Sequence, residues 1–130
     1  MIKTLSGHAT AVTDVGWKTL PCGKTILATC ADDQTVRVYD GTNFELFNVF
    51  NTRDIYGWHT LTYMSIDAKR NRLFVSTQHG YLVSWDLKNF ERVYCRKLHA
   101  GSIEGLTLSP DHDSLITIGS DCVINRISLA

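Results

Sequence analysis

The fold turns on Leu27–Asp40, LATCADDQTVRVYD. Two short apolar runs flank the acidic pair Asp32-Asp33, and the second run alternates through Val36 and Val38 to Tyr39-Asp40. Alternation of period two, rich in β-branched residues, marks a strand, and the acidic pair between two such runs marks a tight turn. The figure returns at Leu73–Asp86, LFVSTQHGYLVSWD, and at Leu115–Ser128, LITIGSDCVINRIS. In register, Asp33 meets His79 and Asp121, and Tyr39 meets Trp85 and Ile127. Tyr39 and Trp85 are 46 residues apart (85 − 39), Trp85 and Ile127 42 apart (127 − 85). A repeat of this length decides the whole fold.

The segments upstream match as well. GHATAVTDVGW places His8 four residues before Val12, and LHAGSIEGLTL places His99 four residues before Ile103. Both continue with apolar residues two apart, Val15 and Trp17, then Leu106 and Leu108. In the middle copy Leu61, Met64 and Ile66 hold the apolar places, and Gly57 stands where a histidine is expected. A further apolar segment follows the first two copies, FELFNVF from Phe44 and ERVYCRKL from Glu91. Each unit therefore reads as about four strands, with the chain divided at 6–50, 51–98 and 99–130 within a single unit spanning 1–130.

The totals bound the function. A chain of 130 residues, 44% apolar, is one domain's worth of packed protein. Thirteen basic and thirteen acidic side chains give a net charge of 0, which speaks against a dedicated nucleic-acid binder. No apolar run approaches the roughly 18 residues that span a bilayer, and the start MIKTLSGH has no long apolar stretch. A cytoplasmic or nuclear protein without a membrane segment is the expectation. Cys22, Cys30, Cys95 and Cys122 form no CxxC pair and read as reduced thiols. No Gly-rich phosphate loop and no nucleophile elbow occurs, so the expectation is no enzyme, no cofactor and no metal site. His59, His79 and His112 belong to no ligand-spaced cluster. Lys69, Arg70 and Arg72 make a small basic turn, expected to be solvated, with a phosphate-binding role as the weaker reading.

With Gly7-His8, Asp33, and the pairs Tyr39-Asp40 and Trp85-Asp86 in phase, the sequence resembles the WD-repeat β-propellers over nearly its whole length. The resemblance implies an all-β fold of four-stranded antiparallel blades, three per chain. It also implies a structural hydrogen-bond network, not a catalytic dyad: His8, Thr29, Asp33 and Tyr39 in the first blade, and His99, Thr117 and Asp121 in the third, where Ile127 replaces the aromatic. The middle blade has Gly57, Val75 and His79 at those places, so its network should be missing and the blade soft. By the same resemblance a protein or peptide partner would meet the loops around the channel. The residues implied are Ala9, Ala11 and Asp32; Trp58, His59, Thr60 and Gln78; and Ala100, Ser102 and Ser120. Trp58, in YGWHT, has the character of an interface anchor.

Propellers close with about 4–8 blades, and this chain holds three. Its third copy ends after a third strand, while MIKTL precedes Gly7-His8 where the family has an outer strand. The expectation is completion between chains, Met1–Leu5 of one copy finishing the third blade of another in a six-bladed homodimer. Completion by other blades, as a structural subunit of a larger complex, is the alternative to an independent interaction scaffold.

Overall fold

A computed structural model describes residues 3–54 and 60–129. Every regular element among them is a strand. The first sheet comprises β1 (Val12–Thr19), β2 (Thr25–Ala31), β3 (Thr35–Asp40) and β4 (Leu46–Asn51). The second comprises β5 (Leu61–Asp67), β6 (Arg72–Thr77), β7 (Tyr81–Asp86) and β8 (Arg92–Lys97). The third comprises β9 (Ile103–Leu108), β10 (Ser114–Gly119) and β11 (Ile124–Ser128). Each sheet runs in sequence order and every neighbouring pair is antiparallel. These are the WD-type blades the repeat implies, open rather than closed.

Local chemistry fixes the turns. Between the second and third strand of each sheet, the same repeat position has positive φ: Gln34 at 66°, Gly80 at 86° and Cys122 at 65°. Only Gly80 is the residue type that adopts this region freely. A side chain there would also run into the backbone around His99, so the turn and the third sheet share tight space. After the third strand, DGTNFE and DLKNFE repeat a second turn. Asp40 Oδ1 accepts the N–H groups of Thr42 and Asn43 at 2.7 and 3.1 Å, and Asp86 Oδ1 accepts that of Lys88 at 2.6 Å. Asn43 and Asn89 each accept the N–H two residues on, at 3.0 Å. The terminal Asp of each dipeptide therefore closes a hairpin by an Asx-type turn.

The sheets stack face to face. Ile26, Ala28, Cys30, Val36, Val38 and Phe50 of the first meet Leu61, Ile66, Leu73, Val75, Val83 and Trp85 of the second in one core. Phe50 and Trp85 are stacked at its outer end, 5.0 Å between ring centroids and 12° between planes. Phe74 and Leu82 then point the other way, onto Leu115 with Leu106, Leu108 and Ile127 of the third sheet. The alternation of period two thus serves two cores, one per face. The middle sheet, with Val75 and His79 at the places of Thr29 and Asp33, is the one covered on both sides.

The innermost strands are also pinned by polar bonds. Thr13 Oγ1 donates to the Leu61 carbonyl at 2.7 Å, and Thr62 Oγ1 to the Ile103 carbonyl at 3.3 Å. The Met64 N–H donates to Asp14 Oδ2 at 2.9 Å.

Candidate functional site

The histidine networks assemble where the repeat places them. His99 Nε2 lies 2.8 Å from Thr117 Oγ1, and its Nδ1 lies 2.9 Å from Asp121 Oδ1. The Ala100 N–H donates to Asp121 Oδ2 at 2.9 Å. In the first sheet His8 Nε2 is 2.7 Å from Thr29 Oγ1, and Nδ1 is 3.3 Å from Asp33 Oδ2. The Ala9 N–H donates to the same Asp33 oxygen at 2.9 Å. A carboxylate can only accept, so Nδ1 carries the proton and Nε2 accepts from the threonine hydroxyl. Each ring is thus held at both nitrogens, with no free lone pair to act as a base.

Charge follows from these bonds. Burial works against the charge on Asp33, yet the Thr35 hydroxyl, the N–H groups of Ala9 and Thr35, and His8 outweigh it and hold the carboxyl below its ordinary value. Asp121 behaves alike: burial opposes the charge, and His99 with the N–H groups of Ala100 and Val123 overcomes it.

Three side chains depart from the expectation, one expected member that stays out and two others that join. Tyr39 does not extend the His8 network: its hydroxyl accepts from Arg37 Nε at 3.0 Å, because the side chains of β3 that face away from the core pair along the strand. Thr35 takes a place the sequence left empty, 2.5 Å from Asp33 Oδ1 and 3.1 Å from His8 Nδ1. In the third sheet Asn125 closes the network beside Ile127, donating to the Leu98 carbonyl at 2.9 Å with His99 Nε2 3.4 Å away. The signal for Thr35 lies in the spacing, a threonine two residues after a turn aspartate.

Above the networks the loop residues come together in pairs. The Asp32 N–H donates to the Ala11 carbonyl at 3.0 Å, that of Gln78 to Thr60 at 2.8 Å, and that of Ser120 to Ser102 at 2.9 Å. Each pair joins the lead-in to an inner strand to the turn before the third strand. Gln78, Ser120 and Ala100 are exposed, while Asp32, Thr60 and Ser102 are half-buried. Trp58 and His59 lie outside the described residues. A bidentate clamp braces this region: Arg92 Nη1 and Nη2 hold Asp54 at 2.8 Å each, and Nη2 reaches the Asn51 carbonyl at 3.0 Å. The Arg92 fork keeps the Asp54 carboxyl below its usual range.

The basic turn is spent on the protein itself. Lys69 Nζ and Arg70 Nη2 both sit 2.7 Å from Asp113 Oδ1 in the β9–β10 turn. Arg70 Nη1 also donates to the His112 carbonyl and lies 3.3 Å from Asp67 Oδ2, a wholly buried carboxylate. His112 Nδ1 is 3.3 Å from the other Asp67 oxygen. These bonds tie the middle sheet to the third and leave Arg72 as the turn's remaining cation. Among the described residues no three His, Cys, Asp or Glu side chains gather as a metal site. The four thiols are unpaired, and burial pushes the Cys30 thiol up to about 11, which makes it unreactive.

Comparison with known proteins supports the WD-repeat family for this chain. Residues 1–40 match the family described as WD domain, G-beta repeat. The chain is 34% identical over 102 residues to WD repeat-containing protein 74 of Homo sapiens, covering 78% of this chain and 26% of the relative. It is 33% identical over 98 residues to WD repeat-containing protein 74 of Bos taurus, covering 75% of this chain and 25% of the relative. The chain spans about a quarter of the length of the curated relatives it matches.

Proposed function

This chain carries WD repeats, and from that premise we propose that it is a non-catalytic protein-interaction scaffold, binding a protein or peptide through its loop face. WD repeats generally serve such scaffolding. The observation that carries the reading is the pairing of Thr60 with Gln78 and of Ser102 with Ser120, which fixes two polar loop pairs on one edge of neighbouring sheets. Rigid loops of this kind bind with little ordering cost. Gln78→Arg with Ser120→Arg tests it. The doubly substituted chain should lose a protein retained by the wild type from a native extract, while its melting temperature stays unchanged. Retention of that protein would overturn the reading.

A second reading is favoured by the open sheet faces. Val15 and Trp17 on β1 are 59% and 60% exposed, and Leu46, Phe47 and Val49 are exposed on β4 at the other edge of the same sheet. Large exposed apolar faces mark contacts. Here the chain is a structural part of a larger propeller, its missing blades supplied by a second copy or by different blades. Burial of Trp17 on assembly, read by its fluorescence, separates this reading from independent action as a scaffold.

A further inference from the structure

The turn after the first strand of each sheet meets the turns of the next sheet, and the two internal joints close that meeting differently. At the second joint it is closed by charge. Asp113 Oδ1 lies 2.7 Å from both Lys69 Nζ and Arg70 Nη2. At the first joint a cleft of about 220 Å³ remains. The β1–β2 turn lines it with Leu20, Cys22 and Lys24, and the turns of the second sheet line it with Asn71, Leu87 and Lys88.

The chemistry of the cleft is one-sided. Asp113 stands two residues before Leu115, and Asn71 stands two residues before Leu73, the counterpart of Leu115 in register. An amide thus takes the place of the carboxylate, while cations remain. Lys24 and Lys88 are exposed, and among the described residues no carboxylate lies within 4.0 Å of either ammonium. Lys24 Nζ rests 3.8 Å from the centre of the Phe47 ring, a contact that leaves its charge whole. Asp40 feels that charge without bonding to it. The Asn71 amide is unused as well. Its Oδ1 is sealed from water without a donor, and its Nδ2 makes no hydrogen bond among the described residues. Leu20 and Leu87, both buried in the core of the joint, supply the apolar wall.

We propose that this cleft binds a small organic anion, a carboxylate that carries a short apolar group. The carboxylate takes the role that Asp113 plays at the second joint, accepting charge-assisted bonds from Lys24 and Lys88. Flexible four-carbon stems let both ammonium groups turn to it. The Asn71 amide adds a neutral donor, and the apolar group lies on Leu20 and Leu87. Size sets the class. The cleft is smaller than the roughly 300–1,000 Å³ of sites for drug-sized ligands, so it holds a single ring or a short branched chain. The two charges select an anion, and the leucines select a carboxylate with an apolar body over a bare inorganic ion. The site lies apart from the loop face and does not depend on the scaffold reading.

Benzoate is the probe, titrated into the isotope-labelled chain at constant ionic strength. Amide shifts should saturate at Leu20–Lys24, Asn71 and Leu87–Lys88, and the loop face should stay still. Benzyl alcohol, which lacks the carboxylate, should bind at least about tenfold more weakly. Inorganic phosphate, which lacks the ring, should also bind more weakly than benzoate. Lys24→Gln and Lys88→Gln should each weaken benzoate at least about threefold. Both side chains are exposed, so these variants keep the fold. Asn71→Asp builds the missing carboxylate into the chain and should weaken benzoate at least about tenfold. Shifts that never saturate would overturn the proposal. So would benzoate binding left unchanged in both lysine variants, or phosphate binding as tight as that of benzoate.

Discussion

His99 Nδ1 meets Asp121 Oδ1 at 2.9 Å while its other nitrogen meets Thr117, so the ring is locked with its side chain wholly buried. Thr117→Val keeps the shape but leaves Nε2 with only the long contact to Asn125 Nδ2 at 3.4 Å. Loss of one such bond with a buried acceptor left unpaired costs about 1–3 kcal/mol. Urea denaturation should show the loss at unchanged m-value.

The aspartates make stability depend on acid. The carboxyls of Asp33 and Asp121 are held below their ordinary values in the folded chain. Their contribution is complete above the unfolded carboxyl value, about 4, and is lost as pH falls through the lower folded values. Urea midpoints taken from pH 6 down to pH 2 should fall steepest below about pH 4. Asp33→Asn should be less stable at neutral pH and show a shallower fall.

The Phe50–Trp85 stack closes the outer end of the first joint. Phe50→Ala removes a buried ring and should cost about 3–5 kcal/mol, with a change in tryptophan emission as Trp85 becomes wet. A cost under about 1 kcal/mol would show that the joint is held elsewhere.

Amide exchange should be slowest in β6 and β7. Val75 and His79 stand at the network places of the middle sheet, which the sequence therefore marks as the soft one, but Leu73, Val75 and Val83 are sealed on one face and Phe74 and Leu82 on the other. Burial on both faces outweighs the lost bonds. Faster exchange in β6 than in β10 would show the networks to be the stronger constraint.

Arg70 is the only cation bonded to the buried Asp67 among the described ion pairs, apart from the His112 ring. Arg70→Gln should lower the melting temperature, and Asp67→Asn in the same chain should recover part of the loss. That pattern follows when an uncompensated buried charge, rather than a lost contact, carries the cost.

Much of this was legible in the sequence because a repeat shows each position three times. Asp33 and Asp121 were readable as partners of His8 and His99 because the resemblance to WD repeats implies that pairing at the repeated positions. Tyr39 was not, because the repeat names an aromatic without saying that its hydroxyl meets Arg37 on the same strand. The ties from Lys69 and Arg70 to Asp113 were hidden for another reason. They join turns more than 40 residues apart that differ between copies, so no periodicity signals them.

The sequence-ordered meander of each sheet also bears on synthesis. A blade's strands pair only with their immediate predecessors, so hairpins form as soon as the chain leaves the ribosome. The first sheet's inner strand is tied to the next sheet by Thr13 to Leu61, 48 residues downstream. Until that point emerges, the apolar inner face of the first sheet is wet, and this is the interval in which a nascent chain most needs shielding.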